Sequence, residues 1–344
     1  MTIGNDAARE AGDAKRGAAA RDDAPRRGRS VEVRVPASTS NLGAGFDCFG
    51  LALRLYLTVR ATVAPETSDP CRVRSTGEGR GASLPNDGEN LIFRAMCLAA
   101  EREGLSLPHV RLAVRNEIPL GRGLGSSAAA IVAGLTLSAA LCGRELPDAA
   151  LLRYAAELEG HADNVAASLL GGWVTTCVRE DGEVLAVKRR WPQDTKLVVV
   201  SPHVPLETAR ARAALPREVA RTDAVHNVQR AALFSAAIEG RADELLWEAT
   251  RDRLHQPHRE RLVPGLAAAL STPRRPRLLG LALSGAGPSV VALAREHFEE
   301  IGEAVASGFR GAGVEATVRL LEVDEEGRRV RELVPRRRQT VVKL

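Results

Sequence analysis

Aromatic side chains are scarce: phenylalanine, tryptophan and tyrosine make up 3% of the 344 residues. So few rings leave little platform for stacking bases, which counts against a single-stranded nucleic-acid binder. Lysine is nearly absent as well, at four of the 48 basic residues. The formal charge is only +5, much of the excess falls in the two tails, and no compact basic stripe is visible in the part expected to fold. A modest pull on anions follows, but no nucleic-acid partner. Five cysteines, at 48, 71, 97, 142 and 177, form no CxxC pair and no metal-like spacing with histidine. They are expected to be buried thiols of a reducing compartment. Residues 1–30 lack the apolar core of a signal peptide. The longest apolar run, Ala128 to Cys142, is too short to cross a bilayer. These absences predict a cytoplasmic protein with no membrane partner.

What is present is ordinary for a globular chain: 44% apolar and 26% charged residues, over a length that suits two domains. Residues 1–29 offer almost nothing to bury and are expected to form a disordered leader. Val31, Val33 and Val35 alternate as in a half-buried strand, and a loop, TSNLGAGFDCFG, follows. Leu51 to Val59 keep a period of two across a second strand. Asn90 to Glu103 has helical spacing, with Asp87 or Asn90 as its cap. Pro147-Asp148 opens a helix that carries Glu157 near its end, and HADNVAASLLGGW reads as a short helix stopped by Gly171-Gly172. Asp181-Gly182 is a two-residue hairpin signal. The character changes near 193. The strand TKLVVVS then leads into three helical stretches, two apolar strands around GAGP, a helix and a last strand, a split βαβ order. From Asp324 the tail is charged and arginine-rich, with little structure expected beyond a short strand at TVV.

The stretch from Pro119 to Gly134 carries the most chemistry. A strand, Val110 to Val114, is followed by Gly121, Gly123 and Gly125, then by Ser126-Ser127 and an alanine-rich helix. Glycines let backbone N–H groups approach a ligand, and a helix start adds unpaired N–H groups and partial positive charge. The combination suits an anion, most often phosphate. It is not a P-loop, which needs Lys-Ser/Thr after its last glycine, and its GxGxG spacing is not a dinucleotide fingerprint.

Three glycine-rich segments, SNLGAGFD, PLGRGLGSSAA and SGAGPS, each follow a strand. In this order they resemble the signature motifs of the small-molecule kinases related to galactokinase, homoserine kinase, mevalonate kinase and phosphomevalonate kinase, the GHMP superfamily. The resemblance runs from about Val31 to Val323. Within the superfamily, PASTSNLGAGFDCFGLAL, PLGRGLGSSAAAIVAGL and ELEGHADNVAASLLGGW look like homoserine kinases. Mevalonate kinases differ in the last segment, with an aspartate where this chain has Asn164.

The resemblance implies an α+β, two-domain GHMP kinase fold. Its ATP-binding N-terminal domain, residues 30–193, would resemble domain 2 of ribosomal protein S5. Its C-terminal domain, residues 194–323, would be ferredoxin-like, with a charged tail over 324–344. It also implies ATP as co-substrate, Mg²⁺, L-homoserine as acceptor and, as is common in the family, a homodimer. Pro119, Leu120, Gly121, Arg122, Gly123, Leu124, Gly125, Ser126, Ser127, Ala128 and Ala129 would wrap the phosphates. Ser127 and Glu157 are the family-matched metal ligands, with Glu159 as competitor because ELEG holds two carboxylates two residues apart. Asp47 would accept the substrate ammonium, and Arg212 and Arg259 would take its carboxylate with Thr208 alongside; Arg210, Arg253 and Arg261 remain rivals. Asn41, His161 and Asn164 would line the hydroxyl end, and Gly285 with Gly287 would brace the phosphate loop. No general base stands out, so the expected reaction is direct attack of the hydroxyl on the γ-phosphate. Glu157→Ala is then expected to nearly abolish turnover and Asn164→Ala to reduce it modestly. Two other readings compete: a related kinase for another alcohol such as mevalonate, and a nucleic-acid-binding protein with an S5-like domain.

Overall fold

The computed structural model describes residues 28–80 and 84–333. The leader, apart from its last two residues, and the short strand expected at TVV lie outside this range.

The chain opens with a long hairpin, β1 (Ser30–Asn41) and β2 (Gly45–Val63), paired antiparallel through most of its length. Most of the loop expected over TSNLGAGFDCFG is therefore strand, with the turn confined to Leu42, Gly43 and Ala44. Then come β3 (Cys71–Gly77), α1 (Leu91–Glu103) and β4 (Val110–Asn116). Of the two candidate caps for α1, Asn90 serves: its side chain accepts from the Ile92 amide. After the phosphate-type loop come α2 (Ser126–Leu141), α3 (Asp148–Glu159), α4 (Asp163–Leu170), β5 (Trp173–Val178) and β6 (Val184–Arg189). Helix α2 is buried on almost every side, as its alanine-rich sequence without a polar face requires. It crosses behind the strands as the centre of the N-terminal core.

The change of character near 193 coincides with a change of sheet. β7 (Lys196–Pro202) starts the second sheet and is followed by α5 (Thr208–Ala213), α6 (Arg221–Gly240), α7 (Asp243–Ala249) and α8 (Gln256–Arg259). A 3-10 turn, α9 (Leu266–Leu270), β8 (Leu278–Leu283), β9 (Val290–Ala294), α10 (Phe298–Arg310) and β10 (Ala316–Leu321) complete it. Its strand order, β10-β7-β9-β8, is antiparallel throughout and is the ferredoxin-like order. The short helices α8 and α9 give no clear helical period in the sequence.

Beyond Val323 the chain does not trail off. β11 (Arg329–Leu333) returns to pair with β1 at the edge of the seven-stranded sheet. Asp324 anchors the return: it is buried, accepts from the Tyr56 hydroxyl at 2.8 Å and takes the amides of Glu326 and Gly327. A short charged strand has no periodicity of its own to reveal it.

The expectation of no basic stripe also needs correcting. On the sheet face turned away from the helices, Arg34 stands opposite Arg329 and Arg111 opposite Arg72. Arg60, Arg74 and Arg115 share that side. Along each strand an inward-facing residue follows every one of them, so the row exists only across strands. Ion pairs from Arg60 to Glu32, Arg72 to Asp69 and Arg115 to Glu117 neutralise part of it. Among the described residues, no helix is long and apolar enough to cross a membrane.

Candidate active site

A cleft lies between the two sheets, floored by the loop from Pro119 to Ser127 and walled by α3, α4, α5, α8 and the β8–β9 turn. The glycines of the loop are spaced by contacts as well as by conformation. Gly123 has φ 71°, and a Cβ there would lie 2.1 Å from the Ser284 carbonyl oxygen. Gly125, at φ 68°, would drive a Cβ to 2.1 Å from Ser38 Oγ. Both positions exclude any side chain. The loop is pinned by the Leu206 amide on the Gly121 carbonyl (2.9 Å), the Ser38 amide on Leu124 (3.1 Å) and the Ser284 hydroxyl on Gly123 (2.6 Å). Gly125 is the N-cap of α2 and supplies no capping side chain. The first amides of the helix are therefore left for a ligand.

The two carboxylates of ELEG separate cleanly. Residues two apart on a helix diverge by about 200°. Glu157 points outward, where it is half exposed and holds Arg102 at 2.5 Å. It does not line the cleft, and the expectation that Glu157 faces Ser127 is corrected. Glu159 occupies that place: its side chain is 11% exposed and Oε2 accepts from Ser127 Oγ at 2.6 Å.

Next to Glu159, His161 Nδ1 lies 2.6 Å from a carboxylate oxygen of Asp163, which also accepts from the Asn164 amide at 2.7 Å. Burial opposes the charge on both partners, but their mutual contact outweighs it. The His161 imidazole is pushed up from its usual range, and the Asp163 carboxyl is held below its own. Asn164 is engaged at both ends, with Oδ1 accepting from Ser38 Oγ (3.0 Å) and Nδ2 donating to Ser40 Oγ (2.8 Å).

The far end of the cleft is built from separate segments. Asn41, Leu42 and Asp47 all hold positive φ, unusual for residues with side chains and typical of functional turns. Asn41 locks this turn by accepting from the Asp47 amide (3.0 Å) and donating to the Gly285 carbonyl (2.9 Å). Arg212 reaches from α5 to grip Asp47 with two bonds, of 2.7 and 3.1 Å. Burial works against the Arg212 charge, yet Asp47 more than offsets it and raises its pKa. The cation and anion expected to act on different parts of a substrate are thus partnered with each other. Arg259 is 1% exposed, and burial, followed by the repulsion of Arg212, pushes it down to about 10. Thr208 and Gly285 line the same end. The rivals stay outside the lining, and Arg253 is spent on Asp223.

A second cavity, of about 340 Å³ and more apolar walls, adjoins the loop and shares Gly121, Ser126 and Ser127 with the cleft. Leu57, Leu91, Ile92 and Val114 contribute to it. Most of this cavity carries no motif, because Leu57, Leu91, Ile92 and Val114 lie in ordinary strands and a helix; Asp163 stands in the ELEGHADN segment, but its pairing with His161 shows only in the fold. The serine alternation of PASTS was the one visible trace of the Ser38 and Ser40 network.

Two family profiles match in order: GHMP kinases N terminal domain over residues 90–172 and GHMP kinases C terminal over residues 233–311. A homoserine kinase of Solibacter usitatus is 42% identical over 296 residues, covering 86% of this chain and 95% of its own length. A crystal structure of a homoserine kinase from Cytophaga hutchinsonii superposes with a TM-score of 0.76 at 30% identity, covering 88% of this chain and 97% of that one. The mevalonate kinase of Methanococcus jannaschii shares the fold, with a TM-score of 0.61 over 85% and 98% of the two chains, at only 14% identity. Sequence identity therefore separates two enzymes that the fold alone does not, and the chain belongs to the homoserine kinases of the GHMP kinase family.

Proposed function

We propose that this chain transfers the γ-phosphoryl group of ATP to the side-chain hydroxyl of L-homoserine, giving O-phospho-L-homoserine, in the cleft between its two sheets. The observation that carries the reading is the Asp47–Arg212 pair beside Arg259. An amino acid is a zwitterion, and the pair offers one charge to its ammonium and the opposite charge to its carboxylate. Mevalonate has a carboxylate but no ammonium, and would leave Asp47 without a substrate partner.

The loop from Pro119 to Ala129 suits the phosphates, with the open amides at the start of α2 directed to them. The more apolar cavity beside it suits the nucleotide base. Ser127 Oγ and Glu159 Oε2, 2.6 Å apart at the helix start, are the hard oxygen donors that Mg²⁺ takes from protein. When bound, the ion supplies charge neutralisation between the phosphates. Gly285 and Gly287 hold the third loop against Gly123, so the two ends of the cleft keep a fixed separation.

We assign no strong base among the described residues. Asp163 is committed to His161 and to the Asn164 amide, and Asn164 has no proton-accepting carboxylate. The hydroxyl attacks directly, with positioning and fixed charge carrying the catalysis. ADP release from the purified protein with Mg²⁺ and a panel of L-homoserine, L-serine, mevalonate and galactose tests the reading. Turnover of homoserine well above the others is expected; turnover of mevalonate without homoserine would sink it.

A further inference from the structure

Arg259 is the most deeply buried arginine lining the cleft, and its orientation is not set by the substrate end alone. Nε donates to the Ala211 carbonyl at 3.4 Å, and Nη1 donates to the Gly285 carbonyl at 3.1 Å and to His255 Nδ1 at 3.2 Å. Among the described residues, none accepts from Nη2. The two carbonyls alone leave the guanidinium a range of tilts. The imidazole narrows it, because a ring nitrogen accepts along one direction in the ring plane.

His255 is itself held on three sides. It is 0% exposed, and Nε2 lies 2.8 Å from the Gly43 carbonyl, which can only accept. That contact fixes the proton on Nε2 and leaves Nδ1 as an acceptor. Phe46 stacks on the ring at 5.2 Å between centroids and 22° between planes. The same Phe46 ring lies beneath the Arg259 guanidinium at 5.3 Å. Burial lowers the imidazole pKa and the Arg259 charge adds to that, against the pull of the Asp252 carboxylate 3.6 Å from Nε2. Gly43 lies in the β1–β2 turn just before the stretch of β2 that holds Asp47, so His255 joins that turn to the helix bearing Arg259.

We propose that His255 is a positioning residue that fixes which face and which nitrogen of Arg259 is offered to the carboxylate of the amino-acid substrate. It touches neither substrate nor nucleotide and acts through Arg259 and the Gly43 turn. The inference rests on the homoserine reading of the cleft.

His255→Leu removes both hydrogen bonds while keeping bulk; His255→Gln keeps one acceptor and one donor. For His255→Leu the KM for homoserine is expected to rise about tenfold, the cost of one well-placed hydrogen bond to a charged group. The KM for ATP should stay within about twofold, since the phosphate loop is untouched. His255→Gln should recover part of the loss. In an Arg259→Lys background, His255→Leu should add little, because the partner it orients is already gone. Equal rises in both KM values, or full additivity with Arg259→Lys, would overturn the proposal in favour of a general packing role. If His255→Leu does not fold, the cycle is run with His255→Gln, and additivity there has the same meaning. A wild-type protein inactive on homoserine would instead bring down the proposed function. The imidazole ¹⁵N shifts then still report whether His255 keeps the Nε2–H tautomer; a mixed tautomer would contradict its fixed orientation.

Discussion

The two ends of the cleft are built in opposite ways. The proposed phosphate end is one continuous stretch, 119–129, that would work through backbone amides, with Gly121, Gly123 and Gly125 lacking side chains by necessity. The proposed amino-acid end is assembled from the β1–β2 turn, α5, α8 and the β8–β9 turn, and would work through charged side chains. A backbone site needs glycine at set positions and little else, so it tolerates few substitutions and is recognisable in sequence. A side-chain site depends on which groups meet, and Arg212 meeting Asp47 across 165 positions leaves no local trace.

If this division is right, the largest effect belongs to Glu159. Glu159→Ala is expected to lower kcat by about a hundredfold or more, beyond the loss of a supporting partner at a metal site. Glu157→Ala should leave kcat nearly unchanged, since an exposed ion pair contributes little. Steady-state assays over a range of Mg²⁺ compare the two; equal losses would erase the distinction between the helix faces. Next in size is Asp47→Asn, for which the KM for homoserine should rise about tenfold or more while the KM for ATP holds.

Asn164→Ala comes third, with kcat lowered about three- to tenfold, because the amide ties Ser38 to Ser40 and is not a base. A loss as large as that of Glu159→Ala would call for a catalytic role. The smallest effect concerns the pair behind it. Asp163 is held below its ordinary 3.8, so its contribution to stability is present above that value and is lost as pH falls through the folded one. His161 is raised above its ordinary 6.5, so its contribution is complete below that value and is lost as pH rises through the folded one. The pair stabilises most between about 3.8 and 6.5. Thermal unfolding across pH should show this window in the wild type and a flatter profile in Asp163→Asn.

The same contrast explains what the sequence made legible. Alternating valines and leucines give β1, β2 and β4, and Asn90 sits where a cap belongs, because these follow from local periodicity. The glycine loop and the ELEGHADN segment mark the proposed nucleotide end, because they too are short continuous stretches. The choice between Glu157 and Glu159 was not open to spacing, since both lie on one helix and only packing decides which face meets Ser127. β11 was missed because a charged edge strand owes its existence to its partner β1. The arginine face was missed because each member is separated from the next by an inward-facing residue or by a whole strand. The resemblance to a family supplied Arg212 and Arg259; nothing local distinguishes them from the many surface arginines.

The central claim is that one end of the cleft handles nucleotide and metal through Glu159, and the other handles the amino acid through Asp47. Steady-state kinetics of Glu159→Gln and Asp47→Asn, with ATP and homoserine each varied at fixed Mg²⁺, test it most directly. The account predicts that Glu159→Gln collapses kcat with a nearly unchanged KM for homoserine, and that Asp47→Asn raises that KM with the larger part of kcat retained. Matching losses in both constants for both variants would contradict it.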